Sequence, residues 1–282
     1  VLVTNPPSGQ VRLAAPTGRC DRGHVSAAQF TLLVTAGIAA GLAGSIAGLA
    51  SLFSYPALLA AGLPATAANV TNTVSLAVSS IGSVHGSRPE LVGQAATARR
   101  LGVICAVGGA AGAALLLATP PGVFQRIVPF LVGGAAVVML VRRPTPDALA
   151  VPTSEMSDRR RRLTLVGVAA VAVYGGYFGA AAGVLMLALL LATTPDSLIR
   201  INALKNVLLG LANFIAALGF AVFGPVSWSI ALPLTIGLLL GSRAGPAVAR
   251  RLPADLLRIG IALAGLGLAV KLGWDVFVPD QP

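Results

Sequence analysis

Two positively charged side chains stand where charge is expensive. Lys205 lies about two turns into an apolar stretch at 198–223, and Arg243 sits between Gly241 and Gly245 in another at 228–248. A charge at bilayer depth costs about 2.5 kcal/mol or more, so it normally faces a partner or an aqueous cavity. Fixed positive charge in such a place attracts an anion. The plainer alternatives are a lysine that snorkels to the interface and a span that ends before Arg243.

Polar residues gather near Lys205. Asn202, Asn206 and Asn213 share its stretch, and Asn206 and Asn213, seven apart, fall on one helix face. The stretch 65–85 carries Asn69, Thr71, Asn72, Ser75 and Ser79. Amide N–H groups and helix N-termini suit oxyanions. The same side chains could instead tie helices together through hydrogen bonds. The candidate substrate-binding set is Asn69, Thr71, Asn72, Ser75, Asn202, Lys205, Asn206, Asn213 and Arg243.

Other chemistries find no footing. All nine acidic residues fall in the tail, loops or span ends, whereas cation paths and proton relays place carboxylates inside the membrane. His24 and His85 have no Cys, Asp or Glu at ligand spacing, which argues against a metal. Cys20 and Cys105 lie in a polar tail and an apolar run, a poor basis for a disulfide. No phosphate-binding G-x-x-x-x-G-K-[ST] loop occurs, and no Ser-His-acid triad can be assembled. The expectation is a protein that is not an enzyme and needs no cofactor.

The elements that must position these residues are membrane helices. Hydrophobic residues make up 56% of the 282-residue chain and charged residues 10%, against about 25% charged in soluble domains. Uncharged stretches such as 30–49 and 101–123 reach the roughly 20 residues a spanning helix needs. The net charge of +11 comes largely from arginines between apolar runs, above all Arg159-Arg160-Arg161-Arg162. That placement fits cytoplasmic loops, and with aromatics at only 5% it does not fit a nucleic-acid surface.

The fold expected is an all-α polytopic membrane protein of about eight transmembrane helices plus two short broken or re-entrant segments. The spans fall at 27–50, 65–85, 101–118, 123–141, 163–183, 198–223, 228–248 and 256–274, with short runs at 52–63 and 184–192. A tail at 1–26 reads as disordered. Repeats at 27–141 and 163–274 flank a polar, basic cytoplasmic linker at 142–162, and 275–282 form a C-terminal tail.

The repeats resemble each other. Gly44 and Gly48 match Gly179 and Gly183 at a shift of 135, and Asn72 matches Asn206 at 134. That register pairs Thr71 with Lys205 and Ser79 with Asn213. Gly108 and Gly112 match Gly241 and Gly245 at 133, and Arg126 matches Arg258 at 132. Glycines four apart allow close helix packing. Gly44/Gly48, with Pro56 in the short run behind them, and Gly179/Gly183 also mark expected helix breaks, a pattern that points to a transporter's binding site. If each short run crosses or re-enters as an extra segment, the halves become inverted, the Arg250/Arg251 loop and the Arg200/Lys205 region move inside and the N-terminal tail outside. Inverted repeats are the favoured arrangement.

These residues resemble a known family. Gly44-x3-Gly48, Tyr55-Pro56-Ala57-Leu58-Leu59, Gly62-Leu63-Pro64 and Ala68-Asn69-Val70-Thr71-Asn72 look like the first signature of the sulfite exporter TauE/SafE family. Tyr174-Gly175-Gly176-Tyr177-Phe178-Gly179-x3-Gly183, then Ala203-Leu204-Lys205-Asn206 and Asn213, look like its second. The resemblance covers about 27–272. It implies a multi-pass plasma (inner) membrane carrier, often an exporter, of sulfite or sulfur-containing organic anions. Its partners would be a small anionic substrate and the bilayer, with room for a coupling ion and a homo-oligomer, and no nucleic acid. The first break, Ala47-Gly48-Leu49-Ala50-Ser51, carries fewer glycines than the family pattern. That departure weakens the case for sulfite itself.

Overall fold

The computed structural model describes residues 26–141, 158–194, 196–249, 263, 266–267 and 269–276. Most of the expected tails, linker and last span therefore lie outside the described residues, as does the Arg250/Arg251 loop.

Among the described residues the regular elements are helices. They are α1 (Ala27–Ala47), α2 (Ala50–Ala60), α3 (Ala65–Gly86), a 3-10 turn (Pro89–Leu91), α4 (Ala95–Ala118) and α5 (Pro121–Val141). After the linker come α6 (Asp158–Tyr177), α7 (Ala182–Thr193), α8 (Leu198–Phe223) and α9 (Trp228–Ala249). Starts follow capping chemistry. Ser26 opens α1 with a capping box to Gln29, and Ser197 stands in extended conformation before α8. Helices α1, α4 and α8 are both long and apolar enough to cross a bilayer. By contrast α3 is diluted by Asn, Thr and Ser, and α6 starts on four arginines. Val103, Val107, Phe130 and Val166 are exposed, as side chains facing lipid would be.

Both breaks exist, with shifted positions. Helix α1 ends at Gly48, whose φ of 74° is the left-handed region that glycine enters without a Cβ penalty. The second break comes earlier than expected, across Phe178–Ala181, with Gly179 at φ 73° and Ala181 at φ 56°. Gly183 already lies in the first turn of α7, and Pro56 sits inside α2 rather than at a break. After its break α7 runs back along α6: Arg160 Nη2 donates to the Ala192 carbonyl at 3.0 Å, and Gly167 faces the Leu189 side chain. The α6–α7 unit is therefore a hairpin with both ends on one side.

A long-short-long-long order recurs on either side of the linker. Helix starts at Ala27, Ala50, Ala65 and Ala95 are answered by Asp158, Ala182, Leu198 and Trp228, an offset of 131 to 133. The shift of 135 read from the glycine pairs overshoots, because the two breaks use different glycines. Tertiary packing crosses the linker. Helix α1 packs most extensively on α9, and α4 on α6. A Cβ on Gly241 would strike the Ile38 carbonyl, and one on Gly112 would fall 2.7 Å from the Tyr177 amide nitrogen. These glycines are backbone contact points, as small residues are in membrane helices.

Candidate anion site between the helix breaks

The two breaks meet. A Cβ built on Gly48 would lie 2.5 Å from the Gly183 Cα, and Gly183 is equally tight against Gly48. Beside this crossing is a cavity of about 80 Å³. Drug-sized sites run to roughly 300–1,000 Å³, so this one suits a ligand of a few heavy atoms. The starts of both short helices line it, through Ala50 and Ser51 from α2 and Ala182 and Gly183 from α7. First-turn amides of a helix have no intrahelical acceptor, and the macrodipole places partial positive charge there.

Lys205 enters the same cavity from α8. It is 1% exposed, and its Nζ has no hydrogen-bond partner. That burial removes the snorkelling alternative. Among the described residues no carboxylate lines the cavity, and Asp196, ahead of α8, pairs with Arg200 at 2.7 Å. Protonated Lys205, buried and unpartnered beside two helix N-termini, makes the pocket electropositive.

Asn206 and Asn213 line the cavity with Lys205. From α3 the lining residues are Thr73, Leu76, Ser80 and Ser83, spaced at helical period on one face, with Ser79 at its edge. Thr73, Leu76 and Ser80 stand 133 residues before Asn206, Leu209 and Asn213. The two long helices thus present equivalent faces to the cavity, and this offset pairs Asn72, not Thr71, with Lys205. Ser45, Ser51 and Ser242 add hydroxyls. Sequence reasoning missed Thr73, Ser80 and these serines. The signal available was the offset of 133 combined with helical period along α3.

The other candidates are placed elsewhere. Thr71 Oγ1 accepts from the Ser227 amide at 3.1 Å, and Ser75 Oγ donates to the Ala231 carbonyl at 3.4 Å. Both tie α3 to the start of α9. Asn72 Oδ1 accepts from Ser54 Oγ at 2.5 Å. Asn69 Nδ2 donates to the Tyr177 carbonyl at 2.8 Å, and Asn202 Nδ2 to the Ser45 carbonyl at 3.3 Å. Arg243 is exposed and outside the cavity lining, although its neighbour Ser242 belongs to it. The second break carries an aromatic seal: Tyr55 and Phe124 make edge contacts with Phe178 at ring separations of 5.3 and 6.0 Å.

Apolar helices, two mid-chain breaks and an electropositive cavity between them define a multi-pass membrane transporter. The chain belongs to the sulfite exporter TauE/SafE family, whose model matches residues 33–272. It is similar to the probable membrane transporter protein YfcA of Escherichia coli (strain K12), 27% identical over 243 residues, which cover 84% of this chain and 86% of that protein. The probable membrane transporter protein ORF9 of a Sinorhizobium species is 25% identical over 266 residues, covering 90% of this chain and 94% of its own. A probable membrane transporter protein of Haemophilus influenzae is 23% identical over 254 residues, covering 87% and 95%. No solved structure matches the chain.

Proposed function

We propose that the protein is a secondary carrier of a small anion, sulfite or a sulfur-containing organic anion among them, working by alternating access at the cavity between the breaks. The observation that carries this reading is Lys205. Its ammonium is buried without a partner where two helix N-termini converge, and an anion would complete the missing interactions. Asn206, Asn213 and the hydroxyls of Thr73 and Ser80 would orient the anion's oxygens. A cation carrier or channel is opposed by the absence of any carboxylate among the described residues that line the cavity. An assembly factor without transport activity would leave the buried charge without a use.

In this reading the halves are inverted: α1–α2 and α6–α7 are re-entrant hairpins, and the long helices that follow each of them span the bilayer. One contact supports it. Arg200 Nη1 donates to the Val92 carbonyl at 3.1 Å, and Gln94 Nε2 to the Arg200 carbonyl at 3.3 Å. The α3–α4 loop and the start of α8 therefore share a face. In an eight-span chain whose short segments do not re-enter, those points would lie on opposite faces. With Arg159-Arg160-Arg161-Arg162 inside, Arg88, Arg99, Arg100 and Arg200 all fall inside too.

The decisive experiment is flux of labelled sulfite, sulfate and short sulfonates in liposomes holding the wild type or Lys205→Met. Substrate-dependent flux lost in the variant is the expected result. Equal flux in both would overturn the site, and no anion flux in the wild type would overturn the transport reading.

A further inference from the structure

We infer that Asn69 and Asn202 are a reciprocal pair of latches, positioning residues that hold each half's hairpin tip with the other half's long helix. The inference rests on the alternating-access reading above. Asn69, one turn into α3, donates to Tyr177, the last residue of α6. Asn202, one turn into α8, donates to Ser45 near the end of α1. The donors are 133 residues apart and the acceptors 132, so the two bonds are copies of one contact across the repeat. Each acceptor is a carbonyl left over by a helix break. At the first break the Gly48 and Leu49 amides turn back to Gly44 and Ala43, and the Ser45 carbonyl goes to Asn202.

Neither asparagine lines the cavity, so neither is placed to touch the anion. What they hold does line it: Ser45 from one tip, and Phe178 and Gly179 just beyond Tyr177 in the other. Both side chains are half satisfied. Their Oδ1 atoms are buried and have no partner, so each amide is held through its nitrogen alone. A bond of that kind can break and re-form as the tips move. The starts of α3 and α8 lie on opposite faces in the inverted arrangement, so each latch guards a different side. The Asn69 latch is the shorter, 2.8 against 3.3 Å. It stands next to the aromatic seal, where Tyr177 also meets Phe124 at 5.7 Å.

The test uses the full chain carrying Ser80→Cys in the cavity, with Cys20→Ser and Cys105→Ala removing the native thiols. A membrane-impermeant maleimide is applied from either face of oriented vesicles. Asn69→Ala should raise labelling from the face where α3 begins and lower it from the other, and Asn202→Ala should do the reverse. Loss of one hydrogen bond sets the expected shift at about five-fold. Sulfite affinity, read by thermal shift, should stay close to the parent value in both. Shifts in the same direction, no shift, or lost affinity would each overturn the latch assignment. Where Asn69→Ala does not accumulate in membranes, Asn69→Ser, whose hydroxyl is too short to reach Tyr177, carries the same test. Labelling of the Ser80→Cys parent from one face only would instead remove the alternating-access premise.

Discussion

Gly48 and Gly183 touch back to back at the crossing of the two hairpins, with no room for a methyl group on either. The cavity and the starts of both short helices are organised around this point. Two substitutions separate its components. Gly183→Ala replaces glycine in a helical turn, where alanine alone would stabilise by about 1 kcal/mol. A fall in the melting temperature of purified protein in detergent therefore reports the backbone clash. Gly48→Ala adds a left-handed alanine at roughly 1–2 kcal/mol, so it should fall further. A stabilised Gly183→Ala would refute the contact.

Lys205→Met should abolish anion binding and leave the unliganded protein at least as stable. The side chain is 1% exposed and its charge is unpartnered; a similar-sized apolar group removes that cost. Thermal shift with and without sulfite checks both halves of the statement. A bound ligand raises the melting temperature only where it binds the folded state.

Asn206→Ala and Asn213→Ala should each weaken the anion by roughly ten- to a hundred-fold, the worth of one hydrogen bond to a charged group at about 1.5–3 kcal/mol. The measurement is the concentration dependence of the thermal shift. Affinity unchanged in both would place the anion away from α8.

Thr71→Val and Arg243→Ala should leave affinity within about two-fold. Thr71 serves the Ser227 amide, so its loss should lower stability by about 1 kcal/mol without touching the ligand. Arg243 faces outward. A large affinity loss in Arg243→Ala would return it to the site.

Much of this was readable before any coordinates. The apolar run at 198–223 became α8 with the same limits, because Ser197 precedes it in extended conformation and a Gly224-Pro225 pair follows it. Lys205 stood out as a charge within a span, and its burial matches the expense of leaving it there. The face of α3 was harder. A register of 134 instead of 133 rotates a helix by about 100°, enough to swap Asn72 and Ser79 for Thr73 and Ser80 as the partners of Asn206 and Asn213. Asn69 and Asn202 looked like ligand groups because an amide that serves a broken helix and one that serves an anion are the same residue type. Which carbonyl each one meets depends on contacts more than 100 residues away, and no local pattern carries that.

The cross-linker packing also bears on how the chain is made. Helix α1 has its main partner in α9 and α6 has its in α4. The glycine-lined face of α1 leaves the ribosome about 200 residues before the surface that covers it. Until then it is exposed to lipid, the translocon or a passing helix of another chain, the state in which long-range folds misassemble. Two fragments cut in the linker and produced together should reconstitute the carrier, whereas either one alone should be degraded. On this packing the face of α1 is covered only once α9 has been made.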